Sequence, residues 1–280
     1  MVDRIANHWY NQGGVKVQAL LHAQATATPF DVIVPIIQSN MRGVADDYVS
    51  TDQFNDSRVK QWDWTGSAIA PAVEPLSTRE TTTGMGASNT FIKDYLASSL
   101  PAGRNILVVN TARGGTGFTT PSTNTSGGSL LTWDRTAAND ANNLALTTIA
   151  ALQTIMAGLP SGSRIVAYLA NHGSTDGSNN EPKATFKAQL QDWITYLRTQ
   201  MSTPNVPYVM MQMRPDLIAN ENRHKIIDDA QTETAAEMAH VGKGVSPVGS
   251  TYYRSDSVHF NALGMRAIGH DLYSKWSPLL

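Results

Sequence analysis

Cysteine is missing from all 280 positions, so disulfides, thiolate metal sites and a cysteine nucleophile are excluded together. An excess of charge is missing too. The formal net charge is -2 and charged residues make up 16% of the chain, so no basic field exists to hold nucleic acid or an anionic membrane surface. No stretch approaches the ~20 consecutive apolar residues a membrane helix needs, and the amino terminus lacks a basic segment followed by an apolar signal core. Neither G-x-x-x-x-G-K-[ST] nor G-x-G-x-x-G occurs, which argues against a phosphate or dinucleotide site; no cofactor is expected. Internal repeats are absent as well.

What is present fits one globular catalytic domain of ordinary α/β size, with 41% hydrophobic residues. The 21 glycines and many Ser, Thr and Asn favour long loops on a rigid scaffold, where substrate contacts are expected. Residues 1–30 read as an extension or linker, with a possible short strand at Val15–Leu21 and a small-residue stretch at Ala23–Pro29; the domain proper spans 31–280. Four short apolar runs without strict alternation read as buried parallel strands: Val32–Ile37, Ile106–Val109, Ile165–Leu169 and Val206–Met211. Helical patterns lie between and after them, at Ala87–Leu100, Ala137–Ala157, Thr185–Gln200, Asn222–Ala239 and Asn261–Leu272. The alternation predicts a three-layer, doubly wound, flavodoxin-like α/β fold with a mostly parallel sheet, in which ligands gather at the carboxyl ends of the strands.

Every unusual polar cluster falls at such an end. Ser39 follows the first strand within Gln38-Ser39-Asn40-Met41 and is a candidate nucleophile, although a serine there also serves as a turn residue or helix cap. Asp256 and His259 stand three apart before the last helix, a spacing at which the carboxylate can fix the imidazole tautomer and His259 can act as general base. The competing reading makes Asp256 a cap of that helix and packs His259 beneath it. Arg113-Gly114-Gly115-Thr116 follows the second strand and offers either half of an oxyanion hole or a plain turn. Asn171-His172-Gly173-Ser174-Thr175-Asp176 follows the third strand and adds donors; His172 and Asp176 alone, without a third ligand, support a metal site only weakly, and none is expected.

Taken together these blocks resemble the SGNH (GDSL-like) hydrolase superfamily, and within it the sialate O-acetylesterase and acetylxylan esterase branch. Gln38-Ser39-Asn40-Met41 corresponds to that branch's G-Q-S-N-M block, Arg113-Gly114-Gly115-Thr116 to R-G-G-[ST], and Asp256-Ser257-Val258-His259-Phe260 to D-x-x-H-F. Ile69–Leu76 and Gly84-Met85-Gly86 match the intervening proline-rich turn and helix-starting glycine. Two positions depart from the pattern: Ile37 stands where the branch has glycine, and His172-Gly173-Ser174 stands where it has Q-G-E.

The resemblance implies a carbohydrate O-acetylesterase with Ser39, His259 and Asp256 as catalytic triad. Its oxyanion hole would be built from the Ser39 and Gly115 amides with Asn171 or His172. Gln38, Arg113, Gly114 and Trp133, with the Thr116–Leu130 loop, are expected on the substrate side, Trp133 being equally suited to the core. The implied partner is an acetylated carbohydrate. Rival expectations on the same fold are a lipase-like or thioesterase-like SGNH enzyme for longer acyl chains and a non-catalytic carbohydrate-binding module. A larger secreted or virion-borne protein, such as a phage tailspike, is the expected setting.

Overall fold

In the computed structural model, residues 27–119, 131–137, 141–256 and 258–280 are described. Expectations for Val15–Leu21, for most of the Ala23–Pro29 stretch and for most of the Thr116–Leu130 loop therefore fall outside the described residues.

Strand β1 (Phe30–Ile37, FDVIVPII) is buried at all eight positions, as its β-branched apolar composition requires of a strand covered on both faces. Pro35 is tolerated inside it because the ladder to β4 (Asn105–Val108) ends at the pair Ile33↔Val108. The missing N–H thus falls beyond the last register pair with that neighbour. On its other side β1 pairs in parallel with β5 (Arg164–Asn171) up to Ile37↔Asn171. With β2 (Val59–Asp63), β3 (Ala68–Pro71), β6 (Tyr208–Met211) and β7 (Val241–Lys243) the sheet has seven strands in the order β3-β2-β4-β1-β5-β6-β7. Every pairing is parallel except the β2–β3 hairpin. The doubly wound, mostly parallel architecture expected from the alternation of runs is the one observed.

Alternate β1 residues feed two apolar layers. Val32, Val34 and Ile36 join the core beneath α3 (Leu144–Ala157), α5 (Lys183–Gln200) and α7 (Asn222–Glu237), while Ile33 joins the core beneath α2 (Ser88–Ser98) and α8 (Ala262–Trp276). Three short helices, α1 (Ser39–Arg42), α4 (Ser174–Ser178) and α6 (Pro215–Asn220), each follow the carboxyl end of a strand. Because successive crossovers leave β1 toward β4 on one side and β5 on the other, the switch point of the sheet lies beside β1, and the crevice opens over Ser39.

Several boundaries differ from the sequence reading for local reasons. The helix expected from Ala137 begins at Leu144, where the Asn143 side chain accepts from Leu146 N at 3.1 Å and caps it. The fourth strand begins at Tyr208, after Pro207. Ile69–Leu76, expected as a turn, contributes through Pro71 to an antiparallel edge strand. Among the described residues no helix is long and apolar enough to cross a membrane.

Candidate active site

The chain leaves β1 through Ile37, whose φ of 83° lies in the left-handed region that a β-branched residue rarely adopts. The departure from glycine in the family pattern is therefore a strained one, held by complete burial of the Ile37 side chain. The reversal turns the chain into α1, and Ser39 opens that helix at the sheet's carboxyl edge. Ser39 Oγ lies 2.8 Å from His259 Nε2, and His259 Nδ1 lies 3.0 Å from Asp256 Oδ2.

The loop carrying Asp256 and His259 is fixed from three directions. Asp256 Oδ1 accepts from the backbone N–H of Val258 at 2.9 Å and of His259 at 2.8 Å. The last helix takes its cap from Asn261, whose side chain accepts from Gly264 N at 3.0 Å, so the competing reading of Asp256 as that helix's cap is corrected. Asn40, next to Ser39, donates to Val258 O and accepts from Phe260 N, stitching the serine turn to the histidine loop. Arg214, buried and stacked 4.1 Å over Tyr253, donates to the Asp256 carbonyl. Burial pushes the Asp256 carboxyl up, but the two backbone amides and the His259 imidazole outweigh it and hold Asp256 below the usual carboxylate range. An ionised carboxylate, an imidazole and a serine hydroxyl in line can move a proton off the hydroxyl.

These groups open on a cavity of about 300 Å³. Gln38, Gly114 and Gly115 line it as the sequence suggested, as do Ser174 and Thr175 of the cluster after the third strand, together with Arg42, Glu80 and Ser178, which the sequence did not single out. Ser174 and Thr175 lie two and three positions beyond His172, the residue set against the glutamine of Q-G-E. Arg42 and Glu80 carry no local signal. Gln38 donates its side-chain amide to Thr116 O, and Arg113, expected on the substrate side, is not among the residues lining this cavity but pairs with Glu80, its Nε 3.2 Å from Oε2.

Two expected site residues point elsewhere. Trp133 is fully buried; its Nε1 donates to Thr116 Oγ1 at 2.9 Å and its ring packs edge-on against Trp193, so it cannot form a sugar-facing wall. The His172 ring stacks on Phe118, meets Phe186 edge-on and pairs through Nε2 with the Tyr208 hydroxyl, so it is not an oxyanion donor in this geometry. The strand's alternation sends His172 toward one layer and leaves Asn171, 1% exposed with neither amide atom hydrogen-bonded, at the end of β5 beside Ile37. His172 and Asp176, the pair weighed as metal ligands, also serve different partners: Asp176 Oδ1 accepts from the N–H groups of Phe118 and Thr119.

Burial drives the His172 imidazole down to about 3. It stays neutral in the fold while the unfolded chain takes a proton near its ordinary value of 6.5, so its stabilising contribution is full above that pH and is lost as pH falls from 6.5 toward 3. Thermal melts from pH 7 to pH 4 should therefore show stability falling by up to about 1.4 kcal/mol per pH unit from this group, with a shallower slope in His172→Gln. Equal slopes for the two proteins would remove His172 as the acid-sensitive group.

A seven-stranded, mostly parallel sheet with helices on both faces is the fold of SGNH-type esterases. The profile of the carbohydrate esterase, sialic acid-specific acetylesterase family matches residues 29–277, and the chain belongs to that family. Among solved structures, NanS superposes with a TM-score of 0.68 at 14% identity, covering 90% of this chain and 97% of its own. A protein from Arabidopsis thaliana gives 0.69 at 17%, covering 90% and 100%. A carbohydrate acetylesterase from Xanthomonas citri gives 0.63 at 18%, covering 89% of this chain and 56% of its own. At these identities the likeness is one of fold. No curated protein matches the chain in sequence.

Proposed function

We propose that the chain is a serine esterase that removes acetyl groups from a carbohydrate. The observation that carries this reading is the continuous array Ser39–His259–Asp256 at the wall of a small cavity, where Gln38, Arg42, Glu80, Ser174 and Thr175 bring hydrogen-bonding side chains. In the proposed cycle His259 Nε2 takes the Ser39 proton as Oγ attacks the acetyl carbonyl carbon. His259 then returns the proton to the departing sugar oxygen, leaving an acetyl-serine. Water, deprotonated by His259, attacks the acetyl-serine; acetate leaves and Oγ regains its proton.

The negative charge on the carbonyl oxygen is best served by the N–H groups of Ser39 and Gly115, both on residues lining the cavity. Asn171 is the better-supported third donor, because its buried amide is uncommitted whereas His172 is engaged with Tyr208. A cavity of about 300 Å³ with hydrogen-bonding side chains in its wall suits a two-carbon acyl group on a hydroxylated partner better than a long alkyl chain, which needs an extended apolar groove.

The test is acetate release from a panel of O-acetylated sialic acids, xylan and other glycans, together with 4-nitrophenyl acetate, butyrate and octanoate. The expected result is release from at least one acetylated glycan and falling nitrophenyl rates as the chain lengthens. A preference for octanoate would favour the longer-chain esterase, and sugar binding without any release would favour a carbohydrate-binding module.

A further inference from the structure

The wall of the cavity facing the serine is organised around one carboxylate that neither the family blocks nor the proposed proton transfers use. Glu80 lies in the segment between β3 and α2, with 15% of its side chain exposed. Its Oε1 accepts from Gly114 N at 2.6 Å and from Arg42 Nη1 at 2.6 Å, and its Oε2 faces Arg113 Nε at 3.2 Å. Arg42 is the last residue of α1, the helix that Ser39 opens, whereas Gly114 immediately precedes Gly115. A single side chain thus joins the helix that bears the serine to the loop that bears a proposed oxyanion donor.

That loop has little freedom to find its shape by other means. Gly115 has φ 62°, the left-handed region, and a Cβ on Gly114 would stand 2.9 Å from Arg42 Nη1 and 3.2 Å from Glu80 Oε1. The ion pair therefore occupies the space a side chain would take, and the Gly114 amide is drawn onto Glu80. Holding the Arg113–Gly114 peptide in this way anchors the chain one residue before the Gly115 N–H and narrows the directions that N–H can take relative to Ser39.

We propose that Glu80 is a positioning residue that locks the Gly114–Gly115 loop onto the nucleophile turn, so that the Gly115 amide meets the developing oxyanion. The proposal rests on the esterase reading above. Oxyanion donors act by being in place before charge develops, and misplacement by about 1 Å can cost on the order of 100-fold in rate. Loss of the clamp should therefore appear in kcat and leave KM nearly unchanged, because the loop is asked to hold the transition state more than the ester.

Charge and geometry make opposite forecasts for two variants. Glu80→Gln loses the charge but keeps an oxygen at the same reach for Gly114 N, with the partly exposed Arg113 free to turn toward water. Glu80→Asp keeps the charge but is one methylene short of spanning the helix and the loop. Positioning predicts that kcat for 4-nitrophenyl acetate in Gln stays within a few-fold of wild type, while Asp and Ala fall about 10- to 100-fold with KM within about threefold. Neutralisation of Arg42 and Arg113 predicts the reverse order.

The experiment is steady-state kinetics of Glu80→Gln, Glu80→Asp and Glu80→Ala beside wild type and Ser39→Ala, each checked for a cooperative melt. Glu80→Ala is the variant most exposed to misfolding, and the order of Gln and Asp decides without it. An order of Asp above Gln, an unchanged kcat in Asp, or a loss carried by KM would overturn the positioning role. A wild-type rate equal to that of Ser39→Ala would instead sink the esterase reading itself and take the role of Glu80 with it.

Discussion

Ser39→Ala is expected to lower kcat for 4-nitrophenyl acetate by roughly 10⁴- to 10⁶-fold, and His259→Ala to fall as far. The equality follows from geometry. Ser39 Oγ has its bond to His259 Nε2 at 2.8 Å, so a serine without the imidazole must attack as a neutral hydroxyl, and an imidazole without the serine has no nucleophile beside the ester. Two groups that act as one unit are not additive, and the double variant should be no slower than either single one. The residue of activity left in all three should come from the oxyanion donors alone. Nitrophenol release by stopped assay over hours, corrected for buffer hydrolysis, measures it. A Ser39→Ala enzyme within tenfold of wild type would assign the nucleophile to another residue, and a double variant far below both singles would mean that His259 serves a different attacking group.

How far the sequence could be read depended on whether each signal was local. β1 and β5 are central strands covered on both faces, so burial demanded the unbroken apolar runs Val32–Ile37 (VIVPII) and Ile165–Leu169 (IVAYL), which are visible without any partner. β2 (VKQWD) and β7 (VGK) lie toward the sheet's edges, are partly exposed, and hold only five and three residues, too few for a period to emerge. The Ser39 turn and the Asp256–His259 loop were legible for the same reason as β1, since each is a contiguous block whose chemistry fits within one turn. What failed was orientation at strand ends. A one-residue difference at the end of β5 sends His172 into the layer of Phe118 and Phe186 and leaves Asn171 on the other face, and the block alone does not specify which. Trp133 reads equally as wall or core until its partners Thr116 and Trp193 are known. Glu80 was invisible because its meaning lies 34 residues away at Gly114 and 38 away at Arg42.

The second large effect is expected at Asp256, where the choice of substitution separates two jobs of one carboxylate. Oδ1 accepts two backbone amides and Oδ2 accepts from His259 Nδ1, so both oxygens are used as acceptors. An asparagine supplies one acceptor and one donor. If its oxygen serves the Val258 and His259 amides, its NH₂ faces Nδ1, which must then give up its proton; Nε2 carries the proton instead and cannot receive one from Ser39. If its oxygen serves Nδ1, the NH₂ opposes two backbone donors and the loop carrying His259 opens. Either arrangement is inactive, and Asp256→Asn is expected to lose about 10³- to 10⁴-fold in kcat with little change in KM. Asp256→Ala should lose no more than Asn, because the aspartate side chain is 41% exposed and water can enter to accept from Nδ1 without imposing the wrong tautomer. A kcat for Asn well above that of Ala would show that orienting the imidazole, and not setting its tautomer, is the larger of the two contributions.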